Sequence, residues 1–257
     1  MEQARNDTPK VVLITGAARR IGRMIAESIH AKGMNVIIHY NHSENEAQEL
    51  VLRFNQIRPN SATMLQAELV DLEQVKQLGE QAIQRWGRLD VLINNASQFF
   101  STPFPGVTAE QYHTLFQVNV AAPFALAQTV YPALEKTNGM IINITDSTET
   151  LPGYPIYNMT RAALNNMTET LSREFRLKRS SVSINTVSPG PTLPPEGASN
   201  QALVESTIAL GDVQMVANAV IGLMTETPCP SGKRIMVGKK KFQPDDIAQN
   251  SAWSCTL

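Results

Sequence analysis

The sequence predicts an α/β fold, a doubly wound, mostly parallel seven-stranded sheet with helices on both faces. Three observations predict it. Short runs rich in Val and Ile recur along the chain, longer amphipathic stretches separate them, and the alternation shows no linker or internal repeat. The strand candidates are 11–15, 35–40, 62–66, 91–94, 140–145, 182–187 and 234–237. Several are apolar at consecutive positions, as in Val11-Val12-Leu13-Ile14 and Met140-Ile141-Ile142, which suits strands buried on both faces of a parallel sheet. The helix candidates between them are 21–32, 45–56, 72–86, 109–134, 157–175 and 213–224, and they supply the right-handed crossovers that parallel neighbours need. One domain is expected over 9–243, with 1–8 and 244–257 as loosely packed tails. The Pro- and Gly-rich stretch 189–200 is expected to form a loop over a ligand site, because ligands in such sheets sit at the carboxyl ends of the strands.

Composition narrows the function classes. A formal net charge of −1 argues against a nucleic-acid footprint, which needs a strongly basic face. The short run Lys239-Lys240-Lys241 reads as a solvated charge cluster. Cys229 and Cys255 cannot build a disulfide framework, and His30, His39, His42 and His113 follow no metal-ligand spacing, so no metal site is expected. The first residues are polar and lack the apolar core of a signal peptide. No apolar run approaches the roughly 18 residues that span a bilayer. The expected setting is the cytoplasm, without membrane or nucleic-acid partners.

The chemistry begins at Thr15-Gly16-Ala17-Ala18-Arg19-Arg20-Ile21-Gly22, which follows the first strand and opens the first helix. Gly16 permits a tight turn, and Gly22 lets the helix pack closely on the strand. Backbone N–H groups and the positive end of the helix then face a diphosphate. That arrangement predicts a Rossmann-like dinucleotide site. An NAD site usually ends its second strand with Asp or Glu, which accepts from the ribose 2′-hydroxyl. Here the strand runs into His39-Tyr40-Asn41-His42-Ser43, and the turn carries Arg19 and Arg20. Guanidinium groups with a histidine and a hydroxyl nearby suit a 2′-phosphate, so NADP(H) is the expected cofactor. Glu44 is read as the start of the next helix, where acids are favoured.

Tyr157 and Arg161 stand four residues apart, on one face of a predicted helix. A tyrosine is a poor general acid–base at neutral pH unless a nearby positive charge lowers its pKa, and Arg161 offers that charge. Elsewhere stand Asn94-Asn95-Ala96 after the fourth strand, Asn119 in the long helix, and Asn185 with Pro189-Gly190 around the sixth strand. With Thr15-Gly16 and Tyr157, these residues make the chain, from 11 to about 237, resemble the short-chain dehydrogenase/reductase family. The resemblance implies that Tyr157 donates a proton and that Asn119 helps to hold a water relay. It implies that Asn95 and Ala96 line the adenosine and nicotinamide-ribose part of the cleft, together with Ile21, Glu68, Leu69, Pro189 and Gly190. Dimers or tetramers paired through 109–134 and 157–175 are also implied.

Within that family the chain is most similar to the pteridine reductases. Arg20 stands where most relatives keep a middle glycine, and 39–43 resembles their phosphate-binding stretch. Asn94-Asn95-Ala96-Ser97-Gln98-Phe99 resembles their segment in which the serine and phenylalanine hold the pterin ring. Asp146 takes the place where most relatives use serine. The resemblance implies a flat pterin stacked by Phe99, with Asp146, Tyr157, Ser97 and Arg20 around its polar edge; Ser97, Tyr157 and Arg161 also touch the cofactor. Two departures stand out. Arg161 replaces the family lysine, keeping the charge but practically never deprotonating. The seventh strand lacks the family's acidic-Gly-Gly ending. Two alternatives stay open at this level: a reductase of a carbonyl compound, such as a 3-oxoacyl group or small ketone, and a non-catalytic NADPH-binding sensor or scaffold.

Overall fold

The computed structural model of the chain describes residues 8–146, 151–190, 212–227 and 229–238. Its strands are β1 (Val11–Ile14), β2 (Asn35–Tyr40), β3 (Ala62–Gln66), β4 (Val91–Asn94), β5 (Met140–Ile144), β6 (Ser183–Pro189) and β7 (Arg234–Val237). They form one sheet in the order β3-β2-β1-β4-β5-β6-β7, and every strand pairing among the described residues is parallel. The helices are α1 (Arg20–Ala31), α2 (Glu44–Ile57), α3 (Leu72–Gln84), α4 (Ala109–Phe116), α5 (Ala122–Thr137), α6 (Pro155–Leu177) and α7 (Val213–Thr225). No helix among the described residues is long and apolar enough to cross a membrane.

Successive side chains of a strand point to opposite faces, and this explains the unbroken apolar runs. Val12 and Ile14 of β1 join Val36 and Ile38 against Ile25 and Ile29 of α1, Leu50 of α2 and Val220 of α7. Val11 and Leu13 join Ile37 and Leu92 on the other face, against Val75 and Leu78 of α3 and Leu126 and Val130 of α5. In α1 the buried positions are Gly22, Ile25, Ala26, Ile29 and His30, the spacing of one helical face. Asp71 caps α3 by accepting from the Glu73 and Gln74 amides, and Thr108 with Gln111 makes a capping box on α4.

The expected long helix 109–134 is not one regular helix. A π turn, Gln117–Ala121, divides α4 from α5. Pro123, in the first turn of α5, has no N–H to donate to the preceding turn, and the buried Asn119 side chain bonds outside the helix. Apart from Thr8, the expected tails lie outside the described residues, as do the expected loop beyond Gly190 and the run 239–241.

Strand order reverses between β1 and β4, which pair directly while their crossovers leave in opposite directions. The carboxyl ends of these strands therefore open a crevice, the usual ligand position in such a sheet. At the opposite end Asp90 ties the same strands together. Its buried carboxylate accepts the Val11 amide at 2.8 Å and two bonds from Arg88, at 2.9 and 2.6 Å. Replacing Asp90 with Ala strands a buried amide and unpairs Arg88, so urea unfolding should show a loss of about 2–3 kcal/mol. An unchanged midpoint would remove Asp90 from the forces that hold β1 to β4.

Candidate active site

The turn after β1 is drawn tightly against the end of β4. The Thr15 hydroxyl accepts the Asn95 and Ala96 amides at 2.9 and 3.0 Å, and the Asn95 side chain donates to the Thr15 and Gly16 carbonyls at 2.9 and 3.1 Å. Gly16 has φ +61°, and a Cβ there would sit 3.1 Å from the Ala96 backbone. A Cβ on Gly22 would lie 2.3 Å from the Gly16 carbonyl oxygen and 2.6 Å from the Asn95 amide nitrogen, so glycine is required by space. Arg20 adopts a left-handed backbone, with φ 55°, at a strain on the order of 1 kcal/mol. Arg19 and Arg20 are exposed at the mouth of the turn, Arg19 within 3.8 Å of Glu46, while Ile21 is half-buried.

The end of β2 is divided between structure and surface. Tyr40 is buried; loss of hydration and the Glu44 carboxylate that it meets both raise its pKa. Glu44 is the first residue of α2. Asn41 accepts from Gln66 at 3.3 Å, His42 is exposed, and Ser43 occupies the N-cap of α2 without a side-chain capping bond. His39 points inward instead: its Nδ1 accepts the Gly16 amide at 3.0 Å, and its Nε2 lies 3.1 Å from the Ala67 carbonyl. After β3, the Glu68 amide donates to Gln74, and Leu69 lines a small recess with Thr15, Ala96 and Val118.

Beyond β4 the chain carries Ser97, Gln98 and Phe99 toward α6. Asn119, in the π turn, clamps this segment: it accepts the Gln98 amide at 2.8 Å and donates to the Gln98 carbonyl at 2.9 Å and Thr160 at 3.1 Å. Phe99 stacks on Tyr154, with ring centroids 4.7 Å apart, and meets Tyr157 edge-on at the same distance. Phe99 keeps part of its surface exposed.

The Tyr157 hydroxyl donates to Asp146 Oδ2 at 2.8 Å. Arg161 is buried with its guanidinium carbon 4.9 Å from the Tyr157 ring centroid. Its Nη2 donates to the Ser97 hydroxyl at 2.7 Å, its Nη1 lies 3.4 Å from the Ile144 carbonyl, and its Nε has no hydrogen-bond partner. Burial pushes the Tyr157 pKa up; the Arg161 charge opposes this, and the Asp146 carboxylate adds to it. Tyr157 therefore holds its proton at neutral pH. At the end of β6, the Gly190 amide donates to the Val237 carbonyl at 2.7 Å, so Pro189 and Gly190 lie beside β7. Asn185 is elsewhere, tying β6 to the segment before β7 through Pro230 and Lys233.

The structure thus brings Asp146, Tyr157, Arg161, Ser97 and Phe99 together, with Asn119 behind them. Sequence reasoning missed the structural duty of His39, the stacking of Tyr154 on Phe99 and the link from Thr160 to Asn119. Tyr154 was legible in principle, since it lies three residues before Tyr157 at a helix start.

The sequence matches the model of a family described as short chain dehydrogenase over residues 10–202. It is 32% identical to pteridine reductase 1 of Leishmania tarentolae over 229 residues, covering 74% of this chain and 78% of that one. It is 28% identical to a hydroxynaphthalene reductase-like protein of Metarhizium guizhouense, covering 74% and 70%. Among solved structures, a blue fluorescent protein from a metagenomic library, in complex with NADPH, superimposes with a TM-score of 0.79 at 30% identity, covering 89% of this chain and 96% of that one. The chain belongs to the short-chain dehydrogenase family. It is accordingly an oxidoreductase that takes a nicotinamide dinucleotide.

His39 is nearly fully buried, and burial lowers its pKa from 6.5 to about 4 against the opposing bond to Ala67. The folded state excludes a proton that the unfolded chain accepts. The resulting stability is complete above pH 6.5 and declines as pH falls toward 4, by an amount on the order of 3 kcal/mol. Urea midpoints measured across this range should fall with pH, and the slope should flatten in His39→Asn. An identical slope in the variant would show that other groups carry the acid sensitivity.

Proposed function

We propose that this protein is an NADPH-dependent reductase of a pterin-like heterocycle, such as a dihydropterin or dihydrofolate, with Tyr157 as the proton donor. One observation carries the reading: the Asp146 carboxylate accepts the Tyr157 hydroxyl at 2.8 Å, beside the partly exposed Phe99 ring. Tyr157 could serve a ketone oxygen as well, but a simple ketone offers the acceptor oxygens of Asp146 nothing to receive. The amino and ring N–H edge of a pterin presents donors that Asp146 can take, while its flat face suits an aromatic ring. The likeness to pteridine reductase 1 supports the same choice over a 3-oxoacyl or ketone substrate.

The residues fit the cofactor. The exposed Arg19 and Arg20 and the uncommitted Ser43 hydroxyl suit a phosphate-rich ligand, and the buried Arg161 Nε lacks a partner. In this reading Gly16 to Gly22 would hold the diphosphate, and Tyr40, Asn41, His42 and Ser43 the 2′-phosphate. Glu68, Leu69, Asn95, Ala96, Ser97, Arg161, Pro189 and Gly190 would hold the rest of the cofactor. Bound NADPH supplies the hydride. Tyr157 gives its hydroxyl proton to a ring nitrogen of the substrate, and Arg161 stabilises the tyrosinate left behind. Asp146 aligns that hydroxyl and holds the donor edge of the heterocycle. Ser97 orients Arg161, and Asn119 keeps the segment of Ser97 and Phe99 in place. Self-association into dimers or tetramers is part of the proposal, with the exposed Tyr112, Phe124 and Met159 of α4, α5 and α6 as its support.

NADPH should be oxidised on addition of dihydrobiopterin or dihydrofolate; turnover of ketones or 3-oxoacyl compounds with none on any pterin would overturn the substrate. Tyr157→Phe should lower kcat by roughly 10²-fold or more while the Kd for NADP⁺ stays nearly unchanged. Undiminished turnover in that variant would strip Tyr157 of the proton-donor role.

A further inference from the structure

We propose that His39 is the positioning residue of the cofactor turn: its ring, accepting from Gly16 and donating toward Ala67, holds the backbone in the form that receives NADP(H). The inference rests on reading 15–22 as the dinucleotide-binding turn. The Gly16 amide can only donate, so the Nδ1 it meets at 3.0 Å carries no hydrogen. The Ala67 carbonyl can only accept, so the Nε2 that lies 3.1 Å away carries one. Together the two contacts define one tautomer and a neutral ring.

The backbone of the same residue acts alongside the ring. The His39 carbonyl accepts the Ala17 amide at 2.9 Å. One residue of β2 therefore engages two successive amides of the turn, those of Gly16 and Ala17, and its ring, 2% exposed, reaches from the turn after β1 to the residue after β3. Turning those two amides inward decides which donors serve a ligand. The amides of Ile21 and Gly22 lie in the first turn of α1, where helix geometry provides no intrahelical acceptor. An apolar side chain of similar size would fill the space but leave the part-buried Gly16 amide without this acceptor. The turn would then populate other conformations, and the apparent affinity for the cofactor would fall by the fraction lost. The depressed basicity of the buried ring agrees with this role.

Three substitutions separate the two bonds. Asn at 39 places its Oδ1 where Nδ1 lies and keeps the acceptor for Gly16. Gln reaches the Nε2 position and keeps only the donor toward Ala67, and Leu keeps neither. Calorimetric titration with NADP⁺ should show affinity reduced about tenfold or more, about 1.4 kcal/mol, in His39→Gln and His39→Leu. His39→Asn should stay within about threefold of the unaltered protein. Thermal unfolding should destabilise Asn and Gln alike, since each loses one bond. Affinity that follows stability, with Asn as weak as Gln, would overturn the proposal, and so would unaltered affinity in all three. Nitrogen-15 spectra of the unaltered protein give a test that needs no variant. They should show His39 as the Nε2–H tautomer at neutral pH; an Nδ1–H or doubly protonated ring would refute it. If the unaltered protein fails to bind NADP⁺, the reading of the turn fails instead, while the tautomer still reports on the bond to Gly16.

Discussion

The close approach of the first βα turn to the end of β4 is the constraint on which the rest of the site depends. Thr15, Gly16, Asn95 and Ala96 make it through four hydrogen bonds, and Gly22 makes it sterically possible. Because β1 and β4 are neighbours whose crossovers diverge, this contact forms the floor of the crevice. Everything that follows β4, Ser97 and Phe99 included, takes its starting direction from it.

From that floor the chain is held again by Asn119. An amide side chain in a regular helix rarely reaches a neighbouring segment with both of its groups. The π turn changes the local pitch, and the buried Asn119 uses oxygen and nitrogen together on Gln98. Thr160, about one turn after Tyr157, links this clamp to α6, the helix of Tyr157 and Arg161. Position is thereby passed from the segment after β4 through the π turn to α6 by buried and part-buried hydrogen bonds.

The electrostatics of Tyr157 are a balance of opposed effects. Burial and the Asp146 carboxylate favour the neutral phenol, and the Arg161 charge favours the phenolate. Burial prevails, leaving a tyrosine that keeps its proton. Arg161 is not a simple exchange for lysine. Its fork spans the Ser97 hydroxyl and the Ile144 carbonyl while its plane lies near the Tyr157 ring, a combination that a point-like ammonium cannot make.

The sequence alone determined the class of fold, because Val- and Ile-rich runs at regular intervals have no other way to bury both faces. It also located the tight glycine turn after β1 and the Tyr157–Arg161 pair, since glycine sterics and helical spacing are local properties. Strand limits matched within about two residues, but the break in 109–134 was invisible, because the partner that draws Asn119 outward lies 21 residues away. Separation in sequence likewise hid the hydrogen-bond partners of His39 and Ser97. His39 stood in a stretch that suggested phosphate binding, yet its imidazole faces a glycine 23 positions earlier. Ser97 meets Arg161 across 64 residues. Local chemistry can announce that a histidine or an arginine is present. Which buried donor or acceptor it must satisfy is decided only when the sheet brings distant strands together, and that pairing fixes its charge, its tautomer and its use.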